Sequence, residues 1–302
     1  MFSLSYETIY YIDLPLCILS AVVNLLIFVA YVFFKDLRNY NYRLVFYMSM
    51  SELLTCSGKD YLAFMIPYWY SDTLCFVQAI VLNFSCLSSV LWTSVIAFTI
   101  YRSVVLEKTD GWKYEVYYLL YAFGIPLSLN FLPMLTNSFG KAEGWCWIDI
   151  EDNNFLQGFL GGNIWRIINY LAPLWLVIIF NFYLHSESVK KIRKMIENIR
   201  DDFNRVVLLN RLRLYPVMLL VCHLPVTVHR FLGFFDVVNR ERVWISSLLA
   251  SFFLILSGVL NAVVYGLTDR VKRELQKVMY QEQSESSKSS LVSSEESETL
   301  QD

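Results

Sequence analysis

The chain has 302 residues, 56% of them hydrophobic and 17% aromatic, against only 17% charged. Its mean hydropathy is +0.44, and soluble domains run nearer about 45–50% apolar and about 25% charged. A net charge of −2 leaves no electrostatic footprint for nucleic acid, and six cysteines are too few for a disulfide scaffold. Ordinary soluble enzymes, nucleic-acid binders and disordered proteins are excluded together, and a membrane protein is left, which the apolar runs along the chain make all-α.

Crossing about 30 Å of hydrocarbon at about 1.5 Å per residue takes about 20 mostly apolar residues. Such runs occur at residues 11–34, 44–68, 74–104, 114–135, 159–183, 214–235 and 243–267, a seven-transmembrane helix bundle over residues 11–267. Unbroken apolar runs oppose a barrel, whose strands would be about 10 residues long with strict alternation. Residues 1–10 read as a short extracellular N-terminus. The start has no basic stretch and no cleavage signature, so the first span is expected to be retained. Residues 268–280, apolar at Val271, Leu275, Val278 and Met279, read as a short interfacial eighth helix on membrane lipid. Residues 281–302 hold eight serines, one threonine and six acidic residues. Such a segment buries too little to fold. It reads as a disordered cytoplasmic tail open to a receptor kinase, whose phosphates would dock an arrestin-like protein.

Basic residues set the orientation, since Lys and Arg favour cytoplasmic loops. With the N-terminus outside, nineteen of the 25 fall on the cytoplasmic side and four on the outer side. Cys75, at the outer start of the third span, and Cys146, between spans four and five, then share the oxidising face, where a disulfide persists. Two unrelated thiols are the alternative. Cys17, Cys56, Cys86 and Cys222 fall within spans, where a thiol packs as a small hydrophobe.

Polar groups inside the bilayer are costly unless paired or solvated. Glu52 lies about 12 Å into span two by helical rise, and Lys59 and Asp60 about 22–24 Å in. Glu52 and Lys59 share a helix face but stand two turns apart, so each needs another partner. Arg166 belongs to the outer half of span five, and His229 and Arg230 end span six on the same side. Lys59, Asp60, Arg166, His229 and Arg230 are therefore the candidate ligand-binding residues. In one reading the cations line an outward cavity suited to an anion. In the other, simpler one, they are salt bridges such as Asp60–Arg166 plus a snorkelling Arg230. Span three is rich in small polar residues that let helices pack closely. Its sequon Asn83-Phe84-Ser85 falls within the membrane and is not expected to carry sugar.

Residues 186–213 alternate charged and apolar positions at helical spacing and read as cytoplasmic extensions of spans five and six. Arg102, Lys190, Lys191, Arg211 and Arg213 are the expected face for a cytoplasmic partner. Enzymatic readings find no footing. The seventh span has no lysine for a retinal Schiff base, and the three histidines do not gather for zinc. No metal and no cofactor is expected. A seven-helix transporter or channel for a small solute remains the alternative.

Five stretches carry a resemblance. They are Gly144-Trp145-Cys146-Trp147-Ile148; the run from Tyr42 to Leu54; Trp92; Tyr215-Pro216; and Leu256-Ser257-Gly258-Val259-Leu260-Asn261-Ala262-Val263-Val264-Tyr265-Gly266. Together they resemble the slime-mould cyclic-AMP-receptor-like family of G-protein-coupled receptors, and the last stretch is similar to secretin- and adhesion-type receptors. Glu52 stands where that family more often has Asp. Rhodopsin-type motifs are only partly matched, with Arg102 alone at the end of span three and no proline after Asn261. The resemblance implies a cell-surface receptor in the plasma membrane, transducing an extracellular small ligand, cyclic AMP or another small anion, to a heterotrimeric G protein without catalysis.

Overall fold

A computed structural model describes residues 2–58, 72–142, 145–149, 162–198, 203–235 and 240–266. Lys59, Asp60, the interfacial helix and the tail lie outside the described residues, as do the side chains of Arg211 and Arg213.

Helix α1 (Phe2–Phe33) starts within the stretch expected as an extracellular segment. Arg38 caps its far end, donating from Nε to the Tyr31 carbonyl at 3.4 Å and from Nη2 to that of Val32. A charge that on sequence only sets topology thus also satisfies carbonyls left over at a helix end. A 3-10 turn (Lys35–Leu37) leads to α2 (Tyr40–Cys56). Asn39 caps α2, its Oδ1 accepting the Tyr42 N–H at 2.9 Å.

Helix α3 is a single run of 33 residues (Asp72–Val104). Helix α4 opens as a 3-10 turn (Gly111–Tyr114), is α-helical over Glu115–Leu119, widens to a π stretch (Leu120–Gly124) and resumes over Ile125–Leu135. Helix α5 behaves alike: Gly162–Arg166, a π stretch at Ile167–Leu171, then Ala172–Asn198. Both π stretches precede a proline. Pro126 and Pro173 have no N–H for the carbonyls of Ala122 and Asn169, so the hydrogen-bond ladder widens there. Helix α6 spans Phe203–Phe235, and α7 spans Arg240–Asn261 and ends in a π stretch at Ala262–Gly266. The cytoplasmic extensions expected of spans five and six are matched by helix through Asn198 and from Phe203, so Tyr215-Pro216 lies inside α6.

Among the described residues six helical runs, α1 and α3 to α7, are long and apolar enough to cross a membrane. Helix α2 is described for 17 residues, and the rest of the expected second span lies outside the described part. Large apolar side chains face outward, among them Leu26, Tyr117, Leu176 and Phe182, each more than half exposed. Water would penalise that surface and lipid does not. The chain is a multi-pass membrane protein.

Helix α3 packs against α2, α4 and α5. Its small polar residues join those neighbours, as expected for close helix approach in lipid. Thr55 of α2 donates to Ser85 at 3.0 Å, Asn181 of α5 donates to Thr93 at 3.1 Å, and Ser94 bonds Tyr121 of α4 at 3.1 Å. Glu52, 3% exposed, gains the partners its position demands: Ser89 Oγ and Asn261 Nδ2 both donate to its Oε1. Helix α7 seats at this point because residue 258 is glycine. A Cβ there would lie 2.4 Å from Ser20 Oγ and 2.8 Å from Glu52 Oε2.

One element departs from the all-α expectation. Between α4 and α5, β1 (Phe139–Ala142) pairs antiparallel with β2 (Trp145–Ile148) as a short hairpin over the bundle. Asn137, at φ +48°, makes the turn out of α4, a conformation asparagine tolerates. The Asp149 N–H donates to the Ser138 carbonyl at 2.8 Å and closes the hairpin's open end.

Candidate ligand-binding site

The hairpin is fixed to α3 at two successive points. The Cys75–Cys146 disulfide forms, with Cα atoms 5.2 Å apart. One turn along α3, Gln78 accepts the Cys146 N–H at 3.2 Å and donates to the Gly58 carbonyl at 3.0 Å. Side chains alternate along a strand, so fixing Cys146 to α3 puts Trp145 and Trp147 together on the other face.

Trp147 joins three helices. Its indole N–H donates to Asn83 Oδ1 of α3 at 3.0 Å, and Asn83 in turn donates to Asn130 Oδ1 of α4 at 2.6 Å. The Arg230 guanidinium of α6 lies 4.5 Å from the Trp147 ring centre and 5.7 Å from that of Trp145. Arg166 of α5 lies 5.4 Å from the Trp147 ring, and its Nε and Nη2 donate to the Ile148 carbonyl at 3.0 and 2.8 Å. Tyr170, from the α5 π stretch, meets Trp147 edge-on at 6.0 Å and bonds His223 Nδ1 at 3.2 Å. Against the indole quadrupole each cation gains about 0.5–2 kcal/mol, the upper end where water is excluded.

Beneath the two tryptophans is a cleft of about 520 Å³, a figure that includes its mouth and the open space there. Tyr170, His229 and Arg230 line it with the tryptophans, and Leu82, Val226 and Leu254 supply aliphatic walls. His229 Nδ1 bonds Ser246 Oγ at 2.9 Å.

Of the expected ligand-binding residues, the structure brings His229 and Arg230 to the cleft. Arg166 stands behind Trp147 as the anchor of the hairpin carbonyl. Lys59 and Asp60 are outside the described residues. Sequence reasoning did not single out Trp147, Tyr170 or Asn83 as site residues. The available signal was Asn83, an amide within a span, which needs a buried partner.

At the opposite end of the bundle three of the expected docking cations, those with described side chains, are paired with the chain's own acids. Arg102, 8% exposed, bonds Asp110 at 2.5 Å and lies 4.4 Å from the Tyr114 ring. Lys191 of α5 reaches Glu107 at 3.0 Å, and Lys190 reaches Glu187 at 2.7 Å. Glu107 holds φ +56°, so this loop carries backbone strain where it meets α5.

The sequence model of the slime mold cyclic AMP receptor matches residues 3–280. The chain belongs to that family. "G-protein coupled receptor 1" of Arabidopsis thaliana is 29% identical over 266 residues, covering 85% of this chain and 77% of that protein. "Cyclic AMP receptor-like protein A" of Dictyostelium discoideum is 27% identical over 251 residues, 81% of this chain and 60% of that protein. "G-protein coupled receptor 157" of Homo sapiens is 29% identical over 179 residues, 54% of this chain and 51% of that protein. The chain thus spans about half to three quarters of the length of these relatives. The family is one of membrane receptors, not of enzymes.

Proposed function

We propose that this member of the slime mold cyclic AMP receptor family couples an extracellular small ligand to a heterotrimeric G protein, with seven spans and its N-terminus outside the plasma membrane. The observation that carries the reading is the cleft itself. It lies under a disulfide-fixed hairpin, and its walls come from α3, α5, α6 and α7, the first three of which continue to the basic opposite end. A disulfide persists on an oxidising face, and basic residues favour the cytoplasm, so the two ends have opposite chemistry in the sense a receptor needs. The relatives named for cyclic AMP support an anionic ligand, and Arg230 is the cleft residue that would meet it. The tail would serve a kinase and an arrestin-like protein, and residues 268–280 would rest on lipid headgroups. The seventh-span ending would reflect the secretin- and adhesion-type pattern.

Epitope tags test the topology. A tag at Met1 should be reached by antibody on intact cells, and one at Asp302 only after permeabilisation. The reverse pattern would contradict both the orientation and the assignment of the cleft to the outer face.

A further inference from the structure

The polar groups of the cleft are largely engaged before any guest enters. Asn83 uses its carbonyl for the Trp147 indole and its amino group for Asn130. The Tyr170 hydroxyl is bonded to His223, and Nδ1 of His229 to Ser246. What the lining presents is therefore aromatic and aliphatic surface, from Trp145, Trp147, Tyr170, Leu82, Val226 and Leu254. Arg230 is the one formal charge among the described lining residues, His229 aside, and its guanidinium lies over both indoles. Arg166 is turned to the Ile148 carbonyl through two of its nitrogens, so its planar fork is committed to the hairpin.

A guest loses water from each of its polar groups on entry and needs a replacement for each. A cyclic nucleotide brings a phosphodiester, a ribose hydroxyl and the polar edge of its base. This lining offers one cation and a wall of rings. A molecule that concentrates all its polarity in one anionic group loses far less. Its flat body would replace water on the rings, and its charge would take the guanidinium from the indole face for a stronger, charge-assisted hydrogen bond.

We propose that the cleft takes a flat, largely apolar organic monoanion, its ring system against Trp145, Trp147 and Tyr170 and its charge on Arg230. This rests on the reading of the cleft as the ligand site. It separates Arg230, which meets the guest, from Arg166, which holds the hairpin.

The test is equilibrium binding to the purified full-length chain in lipid nanodiscs, with no G protein present. Three probes are compared: naphthalene-2-carboxylate, its uncharged isostere naphthalene-2-carboxamide, and cyclic AMP. The carboxylate should bind about tenfold or more tightly than the carboxamide, and cyclic AMP should not displace it. Arg230→Gln should bring that ratio to about one. Arg230→Lys, which keeps the charge, should retain the preference. The idea is overturned if the carboxylate does not bind, if cyclic AMP displaces it, or if Arg230→Gln leaves the ratio unchanged. Nucleotide exchange is measured separately. Carboxylate binding as stated without exchange would retire the receptor reading and leave the ligand class. Exchange driven by cyclic AMP alone would do the opposite.

Discussion

Glu52 and Arg166 are charged side chains buried within the bundle. Each is 3% exposed. Glu52 holds α3 to α7 through Ser89 and Asn261, and Arg166 holds the hairpin to α5 through the Ile148 carbonyl. Removing one partner of a buried charge-assisted bond costs about 1.5–3 kcal/mol. Arg166→Ala should therefore lower thermal stability of the detergent-solubilised protein by that order; an unchanged melting temperature would show that the hairpin does not depend on this bond. Glu52→Gln keeps a carbonyl oxygen for the two donors, whereas Glu52→Ala leaves both unpaired at about 1–3 kcal/mol each. The alanine variant should melt well below the glutamine variant, and equal melting would contradict the assigned partners. The sequence shows that a carboxylate in a span needs company. It does not show which, because Ser89 and Asn261 are 37 and 209 positions away.

At the level of elements, the long helices were legible because each is a continuous apolar run. The hairpin was not: two strands of four residues inside a polar loop are too short to show an alternating period. The π stretches of α4 and α5 were signalled by Pro126 and Pro173, but a proline predicts a break or kink as readily as a widened turn. The seventh-span motif has a steric explanation. Gly258 lets α7 approach both Ser20 of α1 and Glu52 of α2, and nothing with a Cβ fits without moving one of them. Gly258→Ala should cost about 1–3 kcal/mol, the usual range for overpacking a filled core. Thermal denaturation checks it. A variant as stable as the parent, as helix propensity alone would favour, would contradict the packing of α7.

Across the whole molecule, the two ends are built differently. The hairpin end is covalently fixed by Cys75–Cys146, and closing a loop of 71 residues constrains the unfolded chain by about 4 kcal/mol. At the opposite end Lys190–Glu187, within α5, and Lys191–Glu107, between α5 and the loop after α3, are exposed or partly exposed ion pairs. Such pairs are worth only about 0–1 kcal/mol each. A docking partner can thus exchange them at small cost, which makes this end the one suited to reversible association. The most direct measurement is nucleotide exchange on purified heterotrimeric G proteins by the chain in nanodiscs, with naphthalene-2-carboxylate and cyclic AMP as the probes. At least one probe should accelerate exchange, and Lys190→Glu combined with Lys191→Glu should abolish the acceleration while leaving probe binding intact. Exchange no faster than in receptor-free nanodiscs, together with probe flux across liposomes containing the chain, would contradict it and mark a transporter instead.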